Sequence, residues 1–243
     1  MPASILITRP AASAAGFVQA LKQRVGPHCD IVVSPLLRIE PIDCDLDLAT
    51  ARTLIFTSVH SVEAFSRLSK TRDRTCYTVG PATAKAARNA GFAPITGGGT
   101  GLALIDRIKA DAPPSPCLYL RGDHVAFDIA SALNKAGIET HSHVIYHQVA
   151  QPLSTSAERL LNGKRRVILP IFSPRSAEIF FEQGPFGVPL HVVALSENVA
   201  QRVPDSMVTS CVTAQQPDQP SMLNAISDLW LSANRLEGRD PAQ

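Results

Sequence analysis

The chain has 243 residues, 45% of them hydrophobic and 18% charged, with a formal net charge of +2. That composition belongs to a folded globular chain, and so mild a charge gives no electrostatic footprint for a nucleic acid or a membrane surface. An aromatic content of 5% also argues against a base-stacking platform, and the length fits one large domain or two modest ones, each able to bury a core.

Short apolar runs alternate with helical patterns from end to end. The runs predict strands near 4–8, 30–34, 53–57, 75–79, 93–96, 116–120, 141–148, 166–172, 190–194 and 207–213. The helical patterns fall near 12–25, 60–70, 81–90, 101–111, 125–137, 154–162, 175–183, 196–203 and 220–234. This alternation predicts an α/β fold of parallel sheets flanked by helices. Thr100 is placed to cap the helix over 101–111, and Gly91 and Gly137 follow helices where a left-handed residue is wanted.

Two stretches break the alternation. Val33–Pro41 carries two prolines in an extended context, and His143–Val149 is strand-like with no helix directly after it. They bracket the middle third of the chain. The pattern predicts a discontinuous domain A, residues 1–35 plus 150–243, with a domain B, 38–146, inserted in it. The two extended stretches would pair as a two-stranded connector.

An internal repeat supports two similar domains. Ser58-Val59-His60-Ser61-Val62-Glu63-Ala64-Phe65 returns as Ser173-Pro174-Arg175-Ser176-Ala177-Glu178-Ile179-Phe180, 115 residues later. Each copy follows an apolar run, so each reads as a strand, a hydroxyl-bearing turn and a helix start. Val79-Gly80-Pro81-Ala82-Thr83-Ala84 and Ala194-Leu195-Ser196-Glu197-Asn198-Val199 keep the same offset. Helix starts at strand ends favour anions, because free N–H groups and the positive end of the helix dipole converge there.

The five cysteines, Cys29, Cys44, Cys76, Cys117 and Cys211, are odd in number and scattered, with no disulfide framework and no zinc spacing. The N-terminus runs straight into Ile5-Leu6-Ile7-Thr8 with no signal-peptide layout. No apolar run approaches the roughly 20 residues needed to span a bilayer. A reduced, cytoplasmic compartment is the expectation.

Several residues stand where chemistry is done in such folds. Thr57, Ser58 and Ser173 lie at strand C-termini, where ligands of open α/β sheets bind; the competing reading is that they only cap their helices. Gly80 permits close approach of a ligand to the backbone and Thr83 carries a hydroxyl one turn on. Leu195 and Asn198 hold the corresponding positions of the second copy, so domain B is expected to be the main anion binder. Arg9 and Arg121 stand near strand ends, able to fork onto a carboxylate or to pair with an Asp. Tyr146 lies in the connector, on one strand face with Val144 and Gln148, as a proton donor or as a packed core residue. His141, His143 and His147 lack a nearby Cys or acidic partner and are not read as a metal site. Gly97-Gly98-Gly99-Thr100-Gly101 lacks the Gly-Lys-Ser/Thr ending of a phosphate loop.

Five segments taken together resemble the uroporphyrinogen-III synthase family. They are Leu6-Ile7-Thr8-Arg9-Pro10, Phe56-Thr57-Ser58-Val59-His60-Ser61-Val62, Val79-Gly80-Pro81-Ala82-Thr83-Ala84, Tyr146 with Val149, and Phe172-Ser173-Pro174-Arg175-Ser176-Ala177. The resemblance implies two α/β domains joined by a two-stranded ladder, with the substrate in the cleft between them. It implies conversion of hydroxymethylbilane, a linear tetrapyrrole, into uroporphyrinogen III, with no cofactor and no metal. Water leaves the first ring to give a delocalised cation, the last ring attacks through its substituted carbon, and the spiro intermediate fragments and recloses with that ring inverted. On this reading Tyr146 assists loss of the hydroxyl as an acid. Thr57, Ser58, Gly80, Thr83 and Ser173 hold substrate carboxylates, with Arg9, Arg121 and Arg175 beside them. The chain would act as a monomer, in transient contact with the preceding pathway enzyme. The rival expectation is a two-domain protein that binds a small anion and performs no reaction.

Overall fold

The computed structural model describes residues 3–125 and 127–237. The chain opens with β1 (Ser4–Ile7), α1 (Ala11–Val25) and β2 (Ile31–Val33). It crosses on β3 (Leu37–Pro41) into β4 (Thr53–Phe56), α2 (Val59–Leu68), β5 (Thr75–Thr78), α3 (Pro81–Asn89) and β6 (Pro94–Thr96). Then come α4 (Gly101–Asp111), β7 (Cys117–Gly122) and α5 (Ile129–Lys135), before the return on β8 (Thr140–Ala150). The remainder is α6 (Thr155–Leu161), β9 (Val167–Ile171), α7 (Pro174–Phe181), β10 (Leu190–Ala194), α8 (Glu197–Ala200), β11 (Ser210–Thr213) and α9 (Gln219–Glu237). Two compact units result, Met1–Arg38 with Ala150–Gln243, and Ile39–Val149.

The first unit carries a five-stranded sheet ordered β11-β10-β9-β1-β2, and the second a six-stranded sheet ordered β3-β8-β7-β4-β5-β6. The pairs β1–β2, β1–β9, β9–β10 and β10–β11 are parallel, as are β4–β5, β4–β7, β5–β6 and β7–β8. β3 lies against β8, with Gln151 N–H bonded to Leu36 O at 2.8 Å and Ile42 N–H to Ile145 O at 3.0 Å. These partners run in opposite order, so the two segments that cross between the units pair antiparallel. The repeat seen in the sequence is a repeat of topology: β2-β1-β9-β10-β11 in one unit matches β8-β7-β4-β5-β6 in the other.

Both sheets are covered on two faces, as buried parallel strands require. In the first unit, Ile5, Ile7, Ile168 and Val193 pack under α1 (Phe17, Leu21) and α9 (Met222, Ile226). Leu6, Leu169, Val192 and Ala194 face α6, α7 and α8 through Ala157, Phe180 and Val199. In the second unit, Leu54, Phe56, Leu118 and Leu120 face α2 and α3, and Ile55, Tyr77 and Tyr119 face α4 and α5. Phe56 of β4 meets Phe65 of α2 with ring centroids 5.6 Å apart, and Phe92 closes the group at 5.7 Å and 5.9 Å. Such pairs add about 0.5–1.5 kcal/mol each beyond burial. Here they fix the angle at which α2 leaves β4, and hence the turn between them.

Three elements are shorter than the sequence pattern suggests. The helix expected over 125–137 begins at Ile129, because the Asp128 carboxylate caps it by accepting from Ser131 N–H at 3.0 Å. The helix expected over 196–203 regularises only as Glu197–Ala200; Arg202 and Val203 bond three residues back, in a tightened turn ahead of Pro204. The last strand begins at Ser210, since Asp205–Met207 form a 3₁₀ turn. Thr100 caps α4 by accepting from Ala103 N–H at 3.1 Å, as its position predicts.

Among the described residues no helix is long and apolar enough to cross a membrane, and the cysteines are free thiols.

Candidate functional site

Each sheet changes winding direction at one place. In the second unit the chain moves outward from β4 through β5 to β6 on one side, and from β7 to β8 on the other. The gap outside the carboxyl ends of β4 and β7 is therefore a topological switch point, where no connection covers the sheet edge and ligands bind. The corresponding gap in the first unit lies outside β1 and β9. Thr57, Ser58 and Arg121 fall at the first gap, and Arg9, Ser173 and Arg175 at the second.

At the gap in the second unit, Ser58 is the N-cap of α2, its Oγ accepting from Ser61 N–H at 3.0 Å while Ser61 Oγ donates to Ser58 O at 2.8 Å. First-turn amides of a helix have no carbonyl behind them. That of Ser61 is taken up by the cap, and those of Val59 and His60 point out of the helix N-terminus. Two phenols clasp the turn from opposite faces of the sheet. Tyr146, on the α2 side, lies 2.9 Å from Ser58 Oγ. Tyr119, on the α4 side, lies 3.1 Å from Thr57 Oγ1.

Tyr146 reaches that place through a bulge. Arg121 pairs with Val144 but Gly122 pairs with Tyr146, so one extra residue enters β8. Ile145 and Tyr146 are consequently both buried in the α2-side core. This overturns the expectation that Tyr146 shares a face with Val144; simple alternation between the two does not survive an inserted residue. Gly122 is the seat of the ring. A Cβ added there would lie 2.6 Å from Tyr146 Cε2 and 2.7 Å from Cζ. Burial pushes the Tyr146 phenol above its ordinary pKa of 10.0, partly offset by the hydrogen bond with Ser58. It is held protonated at neutral pH, fit to donate rather than to accept a proton. Tyr119 is raised in the same way by burial, its hydrogen bond with Thr57 and the charge of Arg121 acting against the shift.

The next turn along, after β5, brings Gly80 to the N-cap of α3 with Pro81 behind it. The glycine run folds over this turn: Gly99 N–H donates to Val79 O at 2.7 Å, and a Cβ on Gly80 would lie 3.4 Å from Gly99 Cα. Gly80 thus allows close approach of another backbone, that of Gly99. Thr83 is buried, with 4% of its surface exposed. Arg121 donates from Nε to Ser142 Oγ at 2.6 Å and from a terminal nitrogen to Gly122 O at 2.9 Å.

The first unit supplies a different set. Ser173 caps α7, accepting from Ser176 N–H at 3.1 Å, with the two hydroxyls 2.8 Å apart. Arg175 stands in the first turn of α7, two residues on. Arg9 lies across the switch point with its guanidinium 4.2 Å from the Phe172 ring centroid and 5.3 Å from that of Phe17. Phe17 and Phe172 meet edge to face at 5.1 Å. Burial lowers the Arg9 pKa, and among the described residues no carboxylate pairs with it. Stacking on rings leaves a guanidinium's in-plane donors available. The turn after β10 is unlike its counterpart: Ser196 heads a helix of four residues and makes no side-chain cap, and Leu195 packs into both cores.

Tyr119 and Gly122 were not singled out in the sequence. The signal for Tyr119 was its two-residue spacing from Arg121 in a predicted strand. Gly122 had none, because its importance depends on the bulge in a strand 24 residues away.

The fold and these edges define a two-unit α/β protein with a ligand-type switch point in each unit. The family described as uroporphyrinogen-III synthase HemD matches residues 18–224, and the chain belongs to that family. It is 29% identical over 212 residues to the uroporphyrinogen-III synthase of Saccharomyces cerevisiae, covering 74% of this chain and 76% of the yeast protein. In fold it is similar to the uroporphyrinogen-III synthetase of Helicobacter pylori, with a TM-score of 0.67 at 20% identity over 93% of this chain and 99% of that one. A mutant uroporphyrinogen III synthase of Thermus thermophilus gives a TM-score of 0.55 at 12% identity, over 96% and 99% of the two chains.

Proposed function

We infer that the chain cyclises hydroxymethylbilane to uroporphyrinogen III in tetrapyrrole biosynthesis, inverting the last ring and releasing water. Family membership supports the activity. At the level of residues, the observation that carries the reading is the Thr57–Ser58 turn, set at a switch point between two buried phenols.

The substrate is a polyacid, and its cyclisation needs little covalent help from the protein. Positioning is the main demand, since the linear tetrapyrrole also closes unaided to the uninverted isomer. Thr57, Ser58, Gly80, Thr83 and Ser173 are proposed to hold acetate and propionate carboxylates through hydroxyls and helix-start amides, with Arg9, Arg121 and Arg175 adding charge. Residues 1–35 plus 150–243 and 38–146 are proposed as two domains, each offering its own switch point. Tyr146 is proposed as the acid that protonates the departing hydroxyl. Its phenol is mostly buried, so the proton leaves by way of Ser58 Oγ, and it returns when the inverted ring loses its proton on rearomatising. The chain is proposed to work in the cytoplasm as a monomer, receiving its substrate in transient contact with the enzyme before it. A purely binding role for a small anion is less well supported, because it leaves family membership unexplained.

Incubating the purified protein with hydroxymethylbilane, oxidising the product and separating the porphyrin isomers is the test. Predominantly type III product is expected. Type I product alone, at the rate seen without protein, would refute the assignment.

A further inference from the structure

We propose that Tyr119 is a positioning residue that fixes Thr57 as a hydrogen-bond donor to an ionised carboxylate of the substrate. The inference rests on the synthase reading above and assigns a role that the reaction scheme leaves empty.

The argument is one of counting hydrogens. The Tyr119 side chain is 2% exposed, and its hydroxyl has Thr57 Oγ1, at 3.1 Å, as its hydrogen-bond partner among the described residues. A buried O–H left without an acceptor is costly. The phenol therefore donates and Thr57 Oγ1 accepts. With its pKa pushed up by burial, the phenol keeps that proton at neutral pH. Thr57, which is only half-buried, then has one hydroxyl hydrogen of its own that cannot be spent on Tyr119.

The same count applies next door. Ser58 Oγ already accepts from Ser61 N–H at 3.0 Å, and Tyr146 OH lies 2.9 Å away on its other side. With both acceptor sites of Ser58 occupied, its hydrogen too is turned outward. Consecutive residues of one turn are thereby preset as donors, each by a phenol from a different face of the sheet. A carboxylate accepts and does not donate, so it matches the outward hydrogen of Thr57 and the helix-start amides beside it, while that of Ser58 leads from Tyr146 to the departing hydroxyl. Without Tyr119, the Thr57 hydroxyl is free to turn its hydrogen inward, and the match is lost.

Tyr119→Phe removes the hydroxyl and keeps the ring in its packing. An interaction equally strong in ground and transition states governs KM rather than kcat, so KM for hydroxymethylbilane should rise about tenfold while kcat stays within about twofold. A double-mutant cycle with Thr57→Val separates positioning from packing. If Tyr119 acts through Thr57, Tyr119→Phe in the Thr57→Val background changes KM by less than about twofold. Equal losses in both backgrounds, or no rise in KM from Tyr119→Phe alone, overturn the inference. Thermal melts of all four proteins show whether a loss is one of folding; a KM effect that tracks the melting temperature also counts against it. A parent chain that makes only type I product sinks the synthase reading and this inference together. A parent that makes type III product with an additive cycle sinks this inference alone.

Discussion

Replacing Tyr146 by Phe is expected to lower kcat by about two orders of magnitude, the lower end of what a positioned acid contributes, while KM and the melting temperature change little. The ring stays in the aromatic and aliphatic surroundings it shares with Phe56, Leu120 and Ile145. Only the hydroxyl, and with it the bond to Ser58 Oγ at 2.9 Å, is removed. One such bond is worth about 1 kcal/mol to folding, and Ser58 keeps its cap on Ser61 N–H. The phenol's raised pKa carries a further consequence. A donor that titrates above its ordinary value of 10.0 imposes no alkaline fall in rate between neutrality and pH 9. Steady-state kinetics on the type III product check both points. Equal kcat in variant and parent removes Tyr146 from the mechanism, and an alkaline limb near neutrality that vanishes in Tyr146→Phe contradicts its protonation state.

The second large effect is expected from a single methyl group. Gly122→Ala puts a Cβ 2.6 Å from Tyr146 Cε2, inside the distance that real Cβ contacts allow. Gly122 is held in the β7–β8 ladder opposite Tyr146, so the ring rather than the backbone must give way. Overpacking of this kind costs about 1–3 kcal/mol of stability. It also carries the phenol off Ser58, so kcat should fall about as far as in Tyr146→Phe, roughly a hundredfold. The two losses should not multiply. In the double variant the rate should match that of the worse single variant, because both changes remove the same contact. Urea melts and kcat values for the four proteins decide it. Full activity in Gly122→Ala, or a double variant slower than either single by the product of their losses, contradicts this placement of the ring.

Much of this architecture is legible in the sequence. The spacing of Ser58–Phe65 and Ser173–Phe180 marked two strand-turn-helix units, and the structure places both serines as N-caps, with both turns after central strands of equivalent topology. Such features are local: a hydroxyl before an apolar helix caps it wherever it stands. What escaped was non-local. Alternation along one strand does not reveal a bulge, and the extra residue in β8 carries Tyr146 off the face of Val144. The pairing of Tyr119 with Thr57 joins residues 62 apart in sequence, through a sheet order that no local pattern encodes. Arg9 was expected to fork onto a carboxylate or pair with an Asp; its stacking on Phe172 depends on β1 and β9 being neighbours, and the substrate carboxylate remains its proposed partner.

A crystal structure with uroporphyrinogen III bound is the most direct measurement of how this chain holds its polyacid. Product carboxylates are expected on the Thr57–Ser58 turn, near Gly80, and on Ser173 with Arg9. A product whose carboxylates stand away from these strand ends would contradict the account.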